Sequence, residues 1–322
     1  HYYACCASQP AGDWFYFEDA TGAANTLSLV KSNTSAPDVT LEYSYDGNTW
    51  TTWGTTSTTA KTLSIPANSK VYLRGTNTAF GNASYYNKFS STGNVSCGGV
   101  ISSMLTNSKE PLLDLTGHDY AYKGMFYGMT TLLNAPELPA TTLSINCYHY
   151  TFYNCSGLTV APALPATTLA SNCYRNMFYG CTGLTSTPEL PATTLVSQCY
   201  YYMFDGCSNL NEIHCNAIDI SASNCTMNWV RNVSSTGTFY RNGYNDDWTD
   251  GTSGIPTSWI VVPPLPVGDW FYFEDASGAE NTLSLVKTNT SAPNVTLQYS
   301  YDGRTWTSWG TTSTTAKTLT IQ

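Results

Sequence analysis

The sequence predicts an α/β solenoid of 26-residue repeats flanked by small all-β sandwich or barrel domains. Three observations predict it. Phe126, Phe152, Phe178 and Phe204 recur every 26 residues and carry their neighbours with them. Within each copy a short proline-marked segment alternates with a longer periodic one. Outside the repeats, Gly12 to Ile65 reads as a run of short alternating strands and recurs as Gly268 to Ile321.

Residues 1–11 read as a linker or the end of a preceding unit. With neither an initiator Met nor a signal peptide at His1, the start reads as a processed or excised end. Residues 12–80 form the first β-domain. Its segments WFYFEDA, NTLSLVK, VTLEYSYDG, NTWTTWG and KTLSI alternate in polarity and are separated by turn residues. They predict a small antiparallel sandwich or barrel. Asp46-Gly47 predicts a two-residue hairpin turn with positive φ at both positions. The string SYDGNTW, Ser44 to Trp50, is one residue short of the Asp-box hairpin of sialidases, which is a structural turn. Trp50 and Trp53, with Tyr43 and Tyr45, offer a sugar-stacking patch, two of the four being expected in the core. Residues 81–119 are assigned to a lead-in and N-terminal cap.

Residues 120–233 hold the repeats. Leu132, Leu158, Leu184 and Leu210 fall in one column, Leu138, Leu164 and Leu190 in a second, and Leu143, Leu169 and Leu195 in a third. One unit cannot bury its own apolar face, so neighbours must supply the other wall of the core. The spacing of Leu169, Cys173, Met177 and Cys181 predicts a helix over Thr168 to Cys181. Pro165 and Pro191 precede such helices, Thr167 and Thr193 are candidate N-caps, and Gly180 and Gly206 mark the exits. Leu184 to Leu190 is too short for a helix and predicts an extended segment pairing with neighbouring coils about 4.8 Å away. Pro188 then belongs at a strand end or edge.

A leucine-bearing strand followed by a helix at this period is the arrangement of a leucine-rich repeat. The run MFYGCTGLTSTPELPATTL with its following CYYYMF resembles the BspA-like leucine-rich repeats of bacterial surface proteins, over Tyr120 to Val233. Chains of that family are also encoded by phages of gut bacteria, and often carry a β-rich domain ahead of the repeats. FSSTGNVSCGGVISSML, Phe89 to Leu105, is similar to the family's lead-in, and the segment from Trp229 to its closing one. Residues 234–264 are accordingly assigned to a C-terminal cap and linker, since a solenoid covers its exposed ends. The resemblance implies recognition of a host or cell-surface protein or glycan.

Residues 265–322 are a second, partial β-domain. Gly268 to Ile321 differs from Gly12 to Ile65 at eight positions, all polar or small: Thr21/Ser277, Ala24/Glu280, Ser32/Thr288, Asp38/Asn294, Glu42/Gln298, Asn48/Arg304, Thr52/Ser308 and Ser64/Thr320. No counterpart of KVYLRG follows it. Either the chain is a window on a longer tandem array, or a strand from another molecule completes the domain. Near-identical β-domains also suit end-to-end self-association in a filament or phage fibre.

Composition points to an extracellular or surface setting. Only 11% of residues are charged and net charge is −9, with 13 basic residues in no cluster, which argues against nucleic acid or an anionic membrane. No apolar run is long enough to insert into a membrane. Most of the 11 cysteines fall in two columns, Cys147, Cys173, Cys199 and Cys225, then Cys155, Cys181 and Cys207. On a helix the eight-residue spacing between columns spans about 12 Å, beyond disulfide reach. Buried free thiols are expected; bridges between adjacent units stay open, as do Cys215 with Cys225 and Cys5 with Cys6 or Cys97.

The sequence calls for no cofactor, calcium excepted. Asn245, Asp246, Asp247 and Asp250 supply oxygens of the kind calcium takes, but without EF-hand spacing, and a solvated turn is the other reading. His1, His118, His149 and His214 share no column and belong to no nucleophile motif, so no enzyme is expected. Binding or building remains. His149, Tyr150, Arg175, Asn176, Tyr201 and Tyr202 occupy varying positions of the predicted helices and, with Trp50 and Trp53, are the candidate ligand contacts; the exposed face of the strand layer is the other candidate surface. Exposed Tyr gives amphipathic contact area; rings that merely stack along the solenoid are the alternative.

Overall fold

In a computed structural model the chain is described over residues 12–241 and 247–262, and in its last part over 281–286, 296–299, 307–311, 313, 315 and 317–321. It divides into two compact units, His1–Val262 and Pro263–Gln322. About 31% is strand and about 2% helix, so the expected α/β leucine-rich-repeat solenoid is overturned. The chain is nearly all β, in several small sheets, with no closed barrel among the described residues.

The first unit opens with β1 (Phe15–Asp19), β2 (Asn25–Lys31), β3 (Thr40–Ser44), β4 (Thr51–Thr55), β5 (Lys61–Ile65), β6 (Lys70–Arg74), β7 (Asn87–Ser91) and β8 (Val95–Gly98). A four-residue helix α1 (Ser103–Thr106) and β9 (Leu132–Asn134) follow. These strands form a six-stranded sheet ordered β4-β3-β6-β1-β8-β9 and a three-stranded sheet ordered β5-β2-β7. Alternation decides which residues face inward. Phe15 and Phe17 of β1 are buried, and Phe17 meets Phe89 of β7 with ring centroids 5.0 Å apart. The Asp46-Gly47 expectation is corrected. Gly47 alone has positive φ, and β3 and β4 are joined by a longer loop. In that loop the Asp46 carboxylate accepts from the amides of Asn48 and Thr49 at 2.8 and 2.7 Å.

The repeats follow as stacked coils whose supposed helices are ladders of turns. An α-helix needs each N–H to reach the carbonyl four residues back. Here alternate residues do two other things. Tyr174, Asn176, Phe178 and Gly180 donate across to Cys199, Tyr201, Met203 and Asp205 of the next coil, at 3.1, 2.9, 3.0 and 2.8 Å. Cys173, Arg175 and Met177, between them, donate three residues back, to Ala170, Asn172 and Tyr174. Every fourth residue is left-handed, as at Asn172, Asn176 and Gly180 with φ of 58°, 52° and 69°. Glycine and asparagine reach that region most readily.

Two residues then point in and two out. The inward pairs build ring ladders: Phe126, Phe152, Phe178 and Phe204 stack at 5.3, 5.5 and 5.5 Å. Tyr122, Tyr148, Tyr174 and Tyr200 form a second buried ladder beside them. The extended segments supply β10 (Ser186–Leu190) and β11 (Glu212–Cys215), which pair in parallel. Pro188 lies in the edge strand β10, within the stretch where its register shifts, as a residue without an N–H requires. Strands β12 (Thr238–Arg241) and β13 (Ile260–Val262) extend the sheet in parallel. Trp229 and Trp248, with Phe239, close this end of the core.

The nine described cysteines, Cys97 and those of the repeats and closing segment, are free and buried. Cys155, Cys181 and Cys207 donate to the carbonyls of Phe126, Phe152 and Phe178 at 3.0 to 3.1 Å. Cys215 and Cys225 are not bridged; Cys5 and Cys6 lie outside the described residues.

In the second unit β14 (Asn281–Leu285) pairs with β17 (Lys317–Ile321), and β15 (Thr296–Tyr299) with β16 (Thr307–Thr311). Asn281 opposes Ile321 as Asn25 opposes Ile65, and the register shift at Leu297/Gln298 repeats the one at Leu41/Glu42.

Candidate functional site

The outward turns bring most of the predicted contacts onto one strip. Lys123, His149, Arg175 and Tyr201 succeed one another at 26-residue steps, and Tyr150, Asn176 and Tyr202 follow in the next column. Lys123 was not singled out from the sequence, although the period alone places it in the column.

Burial differs sharply along the strip. Lys123 is 2% exposed, and its ammonium donates to the carbonyls of Asn82 and Ala83 at 2.8 and 2.9 Å. Burial, then the nearby Arg175, bring its pKa down to about 8. His149 is 9% exposed and lies on Tyr150 with centroids 3.9 Å apart. Neither of its ring nitrogens has a hydrogen-bond partner. Burial first, then the charges of Lys123 and Arg175, push its pKa down to about 2, so it is neutral at ordinary pH.

Arg175 is half-buried and positioned by neutral groups. Its Nη1 donates to Asn172 Oδ1 at 3.2 Å and Gln198 Oε1 at 2.6 Å, and the guanidinium lies 4.4 Å from the Tyr201 ring centroid. Its Nε is buried without a partner, and no carboxylate among the described residues pairs with it. By contrast Arg74 pairs with Glu42, and Arg231 with Asp205.

Tyr150 and Tyr202 have φ of 61° and 53°, in slots that Gly124, Asn176 and Asn228 fill elsewhere in the column. A bulky residue in that region carries strain, and such strain gathers at functional positions. Asn176 itself is buried, and its left-handed backbone serves the turn. A further column, Tyr127, Tyr153 and Tyr179, stacks at 4.5 and 4.6 Å. Its ring faces are spent on one another. Tyr201 and Tyr202 lie outside both tyrosine ladders, whereas Tyr150 packs edge-on against Tyr127 and Tyr153 at 5.9 and 5.4 Å.

The predicted tryptophan patch divides. Trp53 packs toward the core, stacked on Phe89 at 6.4 Å, with its indole N–H given to Thr62. Trp50 instead meets Trp14 at 5.1 Å, and Arg74 lies 4.1 Å over its ring. Tyr16 and Tyr72 continue that face. The outward positions of WFYFED were the missed signal. Of the calcium candidates, Asn245 and Asp246 lie outside the described residues, while Asp247 and Asp250 are exposed on either side of buried Trp248. No helix is long and apolar enough to cross a membrane among the described residues.

Compared with known proteins, the chain matches no family model, no curated protein and no solved structure.

Proposed function

We propose that this is a non-enzymatic extracellular protein that recognises a protein or glycan through the outward turns of its repeat stack. The observation that carries the reading is the convergence of His149, Tyr150, Arg175, Tyr201 and Tyr202 on one strip, with Tyr150 and Tyr202 at positive φ and the Tyr201 ring under an arginine that no carboxylate among the described residues neutralises. Rings at such positions give contact area at low entropic cost. The resemblance of the repeats to BspA-like surface proteins supports the setting, as does a surface rich in Thr, Ser, Asn and Tyr and poor in charge. A screen of the purified chain against glycans and extracellular matrix proteins tests it, with Tyr201→Ala and Tyr202→Ala as paired variants. Binding that both variants weaken supports the reading. Binding that neither affects overturns the assignment to the strip.

One observation favours a second reading, a structural subunit of a filament or phage fibre. The two β-domain copies differ at eight positions over Gly12 to Ile65, and the joints of a regular fibre must match. Electron microscopy over a concentration series separates the two: ordered end-to-end fibres select assembly, and dispersed particles remove it.

A further inference from the structure

We propose that the strip recognises a carboxylated sugar, with Arg175 receiving the carboxylate and the rings of Tyr201 and Tyr202 receiving the adjoining sugar face. The inference rests on the recognition reading above and names its ligand class.

The charge pattern carries it. Carboxylates outnumber Lys and Arg 22 to 13 in this chain, yet Lys123 and Arg175 stand in one column and neither is paired with a carboxylate among the described residues. Two amide oxygens, from Asn172 and Gln198, fix the Arg175 guanidinium and leave its charge uncompensated. With both Nη1 hydrogens taken and Nε buried, Nη2 is the end left to meet an incoming carboxylate, and the neutral acceptors hold it in place. The second observation is chemical. Buried nitrogens of His149 and Arg175, in adjacent coils, lack hydrogen-bond partners. Such groups are destabilising as they stand, and they mark the strip as a place where packing alone does not satisfy the polar atoms. Against a peptide carboxylate stands the aromatic share of the strip. Tyr201 and Tyr202 lie together at 4.5 Å, half-exposed; the Arg175 guanidinium lies over Tyr201, and that of Arg231 lies 5.0 Å from the Tyr202 ring centroid. A ring pair next to a cation suits the apolar face and the acid of one sugar.

Glycan-array binding followed by titration at two salt concentrations tests the proposal. The probes are sialylated, uronate-containing, sulfated and neutral oligosaccharides, against wild type, Arg175→Gln, Arg175→Lys and Lys31→Gln. Carboxylated glycans are expected to bind. Arg175→Gln should weaken them at least about 10-fold, Arg175→Lys should recover part of that, and Lys31→Gln, which removes a charge already paired with Asp38, should match wild type. Thermal melts of the variants exclude misfolding as the cause. Neutral glycans bound equally by wild type and Arg175→Gln would overturn the carboxylate assignment and leave recognition standing, and a preference for sulfated glycans would also overturn it. Protein ligands alone would overturn the sugar class. No binding to any probe would remove the recognition reading itself.

Discussion

Acidification should destabilise the repeat stack through His149. In an unfolded chain a histidine binds its proton near pH 6.5. In the fold, burial and the flanking charges of Lys123 and Arg175 push that pKa down to about 2. Below pH 6.5 the unfolded state therefore binds the proton and the folded state does not, so stability falls as pH falls from 6.5 towards 2. Between pH 7.5 and 5.0 the linkage amounts to about 2 kcal/mol. Asp19 is held down to about 2 by the Thr21 hydroxyl and the Asn68 amide, so its contribution is lost only as pH falls below the ordinary carboxylate range. Hydrogen bonds from the Thr49 and Asn48 amides hold Asp46 down as well. Neither aspartate titrates between pH 7.5 and 5.0 in either state. The assay is urea denaturation followed by circular dichroism at both pH values, for wild type and His149→Gln. Wild type should lose about 2 kcal/mol more than the variant over that interval. An equal loss in both proteins would refute the account of His149 as a buried neutral group between two cations.

Three further outcomes follow from the fold. Burial pushes the thiols of Cys147 and Cys215 up to about 12, so in a Cys5→Ser, Cys6→Ser background no thiol should react with Ellman's reagent at pH 8 until denaturant is added. Phe178→Ala removes the middle of a ring ladder whose members are fully buried, and should cost about 3–5 kcal/mol in a urea melt. Asn146 has φ of 55°, so Asn146→Ala should cost about 1–2 kcal/mol, whereas Asn146→Gly should be nearly neutral. A helix would reverse that order, because Ala is the better helix former.

The repeat, its inward columns and the site strip were legible because a 26-residue period acts on every position alike. The helix was not, and the reason is specific. Cys173, Tyr174, Met177, Phe178 and Cys181 follow the i, i+1, i+4, i+5, i+8 stripe that a helix also shows. Two features distinguish the turn ladder. A helix drifts by 40° at each four-residue step, since 3.6 residues make a turn, so a strict four-residue step cannot hold one face for long. Asn172, Asn176 and Gly180 also stand at four-residue steps, where a helix would disfavour them and a left-handed turn requires them. The strip was found by column position alone. What the sequence could not supply was depth: it did not show that Asn176 is buried, that Lys123 lies under the 82–83 carbonyls, or that Trp53 and Trp50 part company.

The ladder also explains why the two ends of the stack carry unlike sequences. Every backbone–backbone bond between coils in the turn ladder runs one way, from an N–H to a carbonyl of the following coil. The first coil therefore presents carbonyls that need donors, and the last presents donors that need acceptors. The preceding segment meets the first need: Phe80, Phe89 and Val95 donate to the carbonyls of Ala121, Met125 and Thr131 at 2.8, 2.8 and 3.0 Å. The closing segment meets the second, with the Thr252 carbonyl accepting from Val230 at 3.2 Å and the Ser253 hydroxyl accepting from Asn228 at 2.9 Å. Phe15, Phe17 and Phe89 then continue the phenylalanine ladder at one end, and Trp229 at the other. The β-layer is thus the donor surface on which the first coil is registered, and a repeat sequence extended at either end would still require both.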